Sequence, residues 1–189
     1  MKAKPLNIYV ALLRGVNVGG NNMISMRELK ESFQGMGFGE VATYINSGNI
    51  IFQTKETDAR KLEKKIEKML VKEYELASKV VVRSLEEMEQ LVNSLPRNWD
   101  SDSGWRYYVI FLRHTIDSED ILTDVPPKEG IEEVFYRPGT LLWSAQVDAL
   151  TRTNINKLAS RKLYQEMTIR NTNTTKKLYE LMKKARTNR

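Results

Sequence analysis

Short apolar runs and amphipathic stretches follow one another along this chain in a definite order. Ile8 to Leu13 is apolar on both faces, the pattern of a central strand. A helix is predicted from Met26 to about Met36, opened by a Ser25/Glu28 capping box with Ile24 and Leu29 placed for a hydrophobic staple. Val41 to Asn46 and Asn49 to Gln53 read as two strands joined at Ser47-Gly48. From Asp58 to about Leu76, Leu62, Ile66, Met69, Leu70 and Tyr74 form one stripe of a long amphipathic helix. Lys79 to Arg83 is a valine-rich strand. Ser84 and Glu87 then open a helix bearing Leu85, Met88, Leu91, Val92 and Leu95.

Arg97 to Gly104 is polar and turn-rich, the best boundary in the chain, and the same order follows it. A strand is predicted over Trp105 to Arg113, a short helix over Asp117 to Thr123, and strands over Glu132 to Arg137 and Thr140 to Gln146 joined by Pro138-Gly139. Next come a helix near Asn154 to Tyr164 with Ile155, Leu158, Ala159 and Leu163 inward, a brief strand over Met167 to Arg170, and a last helix from Thr174. The repeated order predicts an α+β protein of two tandem ferredoxin-like modules, β-α-β-β-α-β, each with an extra helix. They span residues 1–96 and 105–189, with 97–104 as linker. Both leading strands are apolar on both faces, so the extra helices, or the other module, are expected to cover the second faces.

Composition narrows the chemistry. The 189 residues include no cysteine and one histidine, His114, which removes disulfides, thiol nucleophiles and any two-histidine metal site. No apolar run suits a signal peptide or a membrane span, so a cytoplasmic protein without a membrane partner is expected. Net charge is +6, yet Lys157 to Arg189 alone carries +8. That basic end admits nucleic-acid binding, with Arg170, Lys176, Lys177, Lys183 and Lys184 as phosphate contacts, or simply a solvated helix face. The aromatic strand motif of a ferredoxin-like RNA binder is absent at Asn49 to Thr54.

Site-like composition is densest after the first strand. Arg14 is followed by Gly15, Asn17, Gly19, Gly20, Asn21 and Asn22, which combine backbone freedom with amide donors and acceptors. The spacing matches neither common phosphate-loop pattern, and the next helix caps itself. In a split β-α-β module the first two strands are parallel with the third between them, so this loop meets Asn46 to Asn49 at one sheet edge. The predicted set is Arg14, Asn17, Gly19, Gly20, Ser47 and Asn49, facing a phosphate- or nucleotide-like anion. Asn46-Ser47-Gly48-Asn49 is also good turn chemistry by itself. A scaffold protein with no small ligand is a third reading, and no catalytic residue, cofactor or oligomeric state follows from the sequence.

Three segments, ALLRGVNVGG at Ala11 to Gly20, TYINSGNIIF at Thr43 to Phe52 and MTIRNTNTTKKL at Met167 to Leu178, resemble the signatures of a widespread bacterial family known as a domain of unknown function. The resemblance spans essentially the whole chain and implies two α+β subdomains with no established activity. The family commonly has lysines where Asn21 and Met23 stand, glutamine at Asn46 and an aromatic at Thr172. It also encourages a reading in which Arg170 and Asn171 complete the Arg14 site when the modules dock. The alternative makes them turn residues leading into a last helix capped by Thr172 or Asn173.

Overall fold

The computed structural model describes residues 6–17, 23–155 and 161–187. Among the described residues, eight strands form two four-stranded antiparallel sheets. By its contacts the chain divides into one unit of Met1–Gln90 with Lys177–Arg189 and another of Leu91–Lys176.

The first unit holds β1 (Asn7–Leu13), α1 (Met26–Gly35), β2 (Gly39–Thr43), β3 (Asn49–Thr54), α2 (Ala59–Tyr74), β4 (Val80–Ser84) and the start of α3 (Leu85–Asn93). Its strand order is β2-β3-β1-β4, so the third strand lies between the first and second, as the sequence pattern predicts. Ser25 caps α1, Asp58 caps α2, and Ser84 and Glu87 form a reciprocal box for α3: Ser84 N donates to Glu87 Oε2 at 2.7 Å and Glu87 N to Ser84 Oγ at 3.1 Å. Tyr9, Ala11, Leu13, Ile50, Phe52, Val80 and Val82 pack against Leu29 and Phe33 of α1 and Leu62, Ile66 and Leu70 of α2. At the sheet's outer edge α2 meets β4 with side chains as well. Glu63 accepts the Val82 amide and Glu67 the Val80 amide, each at 3.1 Å.

The opposite face is buried too, with Val10 and Leu12 at 0% exposure. Gln53 on this face donates to the Ala185 carbonyl at 3.1 Å. The helix carrying Ala185 is α5 (Thr172–Thr187), whose larger part, from Lys177, belongs to this unit. The extra helix that follows the eighth strand therefore lies over the first sheet, along a groove of about 300 Å³ between Ala42, Ile51, Leu181 and Lys184.

The second unit holds β5 (Trp105–Leu112), α4 (Ile121–Asp124), β6 (Glu132–Arg137), β7 (Thr140–Gln146) and β8 (Met167–Asn171), in the order β6-β7-β5-β8. Ile110, Leu112, Leu141, Trp143, Ala145 and Met167 form its core with Ile121, Val125 and Ile155. A buried carboxylate organises it: Glu132 accepts Trp143 Nε1 at 3.2 Å and the amides of Lys128 and Asn154 at 3.0 and 2.8 Å. On the other face Trp99 packs edge-on to Tyr107, ring centroids 4.9 Å apart, and donates to Thr172 Oγ1 at 3.0 Å.

Two expected elements are corrected. The helix over Asp117 to Thr123 is a single turn, Ile121–Asp124, because Asp117 and Ser118 spend their side chains on Gly139 and Asp120 outside it. Of the helix expected near Asn154 to Tyr164, Ile155 is helical and packs in the core, Lys162–Glu166 forms a 3-10 turn, and Leu158 and Ala159 lie outside the described residues. The last helix begins at Thr172, not Thr174.

Candidate functional site

The end of β1 and the β2–β3 turn do meet. Leu13 N donates to the Gly48 carbonyl at 2.8 Å. Gly48 sits at φ +69°, and a Cβ there would fall 2.9 Å from Leu13 Cβ and 3.3 Å from Val16 Cβ. A third segment joins this edge from the start of β4: Arg14 N donates to the Lys79 carbonyl at 3.2 Å, and Ser78 Oγ to the Arg14 carbonyl at 2.6 Å. Arg14 is half-buried and Lys79 exposed.

The asparagines predicted to face a ligand are used by the chain. Asn17, at φ +54°, accepts the Ile24 amide on Oδ1 at 2.7 Å and donates Nδ2 to the Ile24 carbonyl at 2.9 Å. Its side chain thus closes the loop in the manner of a paired backbone unit. Asn49 is fully buried, donating to the Tyr44 carbonyl at 3.1 Å and to Ser47 Oγ at 2.9 Å. It fixes the hairpin turn. Gly19 and Gly20, with Asn21 and Asn22, lie outside the described residues.

The second unit repeats this edge with one change. Leu112 N donates to the Gly139 carbonyl at 2.9 Å, where Gly139 has φ +77°, and Arg113 N donates to the Glu166 carbonyl at 3.0 Å. Leu112 and Arg113 therefore stand where Leu13 and Arg14 stand, and Glu166 stands where Lys79 does. Arg113 Nε lies 3.2 Å from Glu166 Oε2 in an ion pair whose arginine side chain is only 7% exposed. One copy of the edge is closed by its own carboxylate. The other has a lysine at that position.

Residues 6–143 match the family model described as a protein of unknown function, DUF1697. The chain belongs to that family. Two of the three segments singled out in the sequence fall within the DUF1697 match, and Met167 to Leu178 lies beyond it. A solved structure of a conserved bacterial protein from Streptococcus pneumoniae is similar at 28% identity, covering 94% of this chain and 99% of that one, with a TM-score of 0.82. No curated protein matches.

In this DUF1697 chain the remaining predicted residues have these neighbours. Arg170 is buried on β8, its Nη1 donating to Thr168 Oγ1 at 2.9 Å and to the Ile169 carbonyl at 2.8 Å, and burial holds its pKa down to about 10. Asn171 is the cap of α5: its Oδ1 accepts Thr174 N at 2.7 Å. Neither Thr172 nor Asn173 takes that place, since Thr172 is buried against Trp99. Of the C-terminal lysines, Lys176 lies 3.9 Å from Asp100, Lys177 lies 3.2 Å from Glu180, and Lys183 sits over the Tyr179 ring at 5.2 Å. Lys184 lines the groove against Ala42 and Ile51.

Lys79 and Glu166 went unremarked in the sequence. The signal was present, because both leading strands end in Leu-Arg, at Leu13-Arg14 and Leu112-Arg113, and aligning the repeats on that pair puts the charge difference in view. Among the described residues there is no cluster of three metal-ligating side chains, and no helix is long and apolar enough to cross a membrane.

Proposed function

We propose that the first unit binds a small anion, phosphate- or carboxylate-bearing, where β1 ends, with Arg14 and Lys79 as its cationic contacts. One observation carries this reading: the exchange of charge at a single register position, Glu166 in the second unit for Lys79 in the first. A second cation beside an arginine at a strand-end turn favours an anionic ligand, as Glu166 does for Arg113 from within the chain. Asn17, Ser47 and Asn49 shape the edge by holding its turns. The strand order β2-β3-β1-β4, repeated as β6-β7-β5-β8, supports reading both units as ferredoxin-like modules. The module boundaries 1–96 and 105–189 follow the repeat of elements along the chain, whereas contacts assign 177–189 to the first unit.

A thermal-shift panel of inorganic phosphate, nucleotides and dicarboxylates tests it. A ligand at 100 times its Kd stabilises by about 2.7 kcal/mol, an easily read shift. Arg14→Ala and Lys79→Ala are expected to abolish the shift. Lys79→Glu reverses the charge at that position and should block the anion. A panel in which nothing shifts the unaltered protein rejects the reading.

A further inference from the structure

Helix α2 carries an excess of cations and gathers them on one side. It holds Arg60, Lys61, Lys64, Lys65, Lys68 and Lys72 against Glu63, Glu67 and Glu73. At 3.6 residues per turn the six cations fall within one arc of about 140°, with Val71 the only other side chain in it. Mixed-charge helices of this kind ordinarily pair Glu with Lys along the exposed face. Here Glu63 and Glu67 lie outside the arc and turn to the sheet, where they accept the Val82 and Val80 amides at 3.1 Å. The carboxylates that would have offset the lysines are occupied by backbone.

The other groups around this face are few. Glu73 lies beyond the arc, and with Glu31 of α1 it lines a groove of about 600 Å³ that also meets Lys65, Lys68 and Lys72. Glu31 lies 4.0 Å from Arg27, and Glu56 is close enough to Lys61 for its carboxyl to feel that charge. Lys65 donates to the Met36 carbonyl at 2.7 Å and sits 4.8 Å over the Phe38 ring. Arg60, Lys61, Lys64, Lys68 and Lys72 remain as an exposed row. In α5, by contrast, Lys176 and Lys177 have carboxylates at 3.9 and 3.2 Å.

We propose that this face of α2 binds the phosphate backbone of duplex DNA without reading its sequence. From Arg60 to Lys72 the row runs about 18 Å at 1.5 Å per residue. One strand of a duplex presents a phosphate about every 3.4 Å of its axis, so five cations extend over about five phosphates. Four of the five are lysines, point charges without the planar fork that reads guanine, and no asparagine or glutamine stands among them. The arc has no aromatic ring on which a single strand could stack. Its one apolar side chain, Val71, 52% exposed, is too little to enter a bilayer.

Fluorescence anisotropy of the full chain with a labelled mixed-sequence DNA duplex, about two helical turns long, tests this. Binding is expected at low salt, with a log-log salt slope of about −3 to −5 and little change when the base sequence is scrambled. The triple variant Lys61→Glu/Lys64→Glu/Lys68→Glu should weaken it by more than about tenfold, while Lys183→Glu/Lys184→Glu in α5 leaves it within about threefold. If charge reversal disturbs folding, glutamine at the same three positions should lower the slope by about one per charge removed. No binding at low salt, equal losses from the α2 and α5 variants, or a preference for single-stranded DNA or phosphatidylserine vesicles over the duplex would each overturn the proposal.

Discussion

The Leu13 amide donates to the Gly48 carbonyl at 2.8 Å, and in the second unit the Leu112 amide donates to the Gly139 carbonyl at 2.9 Å. One bond in each unit thus ties the end of the leading strand to the hairpin turn of its neighbour. Around it the strand-end arginine, the turn glycine and the start of the fourth strand are brought to one edge.

Gly48 is the least replaceable member of that edge. Alanine there would combine a φ of +69° with a Cβ 2.9 Å from Leu13 Cβ. Strain and overpacking together should cost about 2–4 kcal/mol. Urea denaturation checks it, and a loss under about 0.5 kcal/mol, the range of ordinary surface changes, would mean that the turn relaxes freely.

Asn17 should act on stability through Ile24. Removing the two bonds to Ile24 in Asn17→Ala should cost about 2 kcal/mol, at about 1 kcal/mol for each bond. Asn17→Asp keeps the acceptor for the Ile24 amide and loses the donor, so it should fall between alanine and the natural residue. Equal stability of all three proteins in denaturant melts would show that the loop is held by something else.

Hydrogen exchange should find the Val80 and Val82 amides protected although β4 is an outermost strand, because Glu67 and Glu63 accept them. Glu63→Leu should expose the Val82 amide to faster exchange and cost about 1–3 kcal/mol for a buried donor left without an acceptor. Unchanged exchange at Val82 would contradict that assignment.

Alkali should destabilise the fold through its phenols. Five of the eight tyrosines have pKa values raised above 10: Tyr9, Tyr74, Tyr107 and Tyr136 chiefly by burial, and Tyr179 chiefly by its bond to Glu89. Each holds its proton more tightly folded than unfolded. The stability this contributes is full below about pH 10 and is lost as pH rises through the elevated folded values. An ultraviolet titration in which all eight ionise together near pH 10, with the fold intact, would go against this.

The hairpin over Glu132–Arg137 and Thr140–Gln146 was legible to the residue, because Pro138-Gly139 interrupts two β-rich runs. The meeting of Leu13 with Gly48 was legible from topology. What could not be read was whom a short polar side chain serves. Asn17 and Asn49 have the composition of ligand contacts, and the same amides also bond neighbouring backbone, a use that the sequence alone does not display. In Asn171-Thr172-Asn173-Thr174 four residues are able to cap a helix. The pairing of Tyr108 with Asn171 carries the strand as far as Asn171 and makes it the cap. That Glu63 and Glu67 accept backbone amides is not visible on a helical wheel, which shows a boundary position without showing that an outer strand runs beside it.

Those two glutamates also decide how the molecule behaves in a crowd. An outer strand with open amides is a template on which another chain can add a strand of its own, the first step of edge-to-edge aggregation. With the Val80 and Val82 amides already taken, β4 offers a newcomer no such ladder. Assembly by strand addition to this sheet would have to begin at β2, where the register shifts between Gly39 and Ala42 and breaks the regular ladder such growth requires.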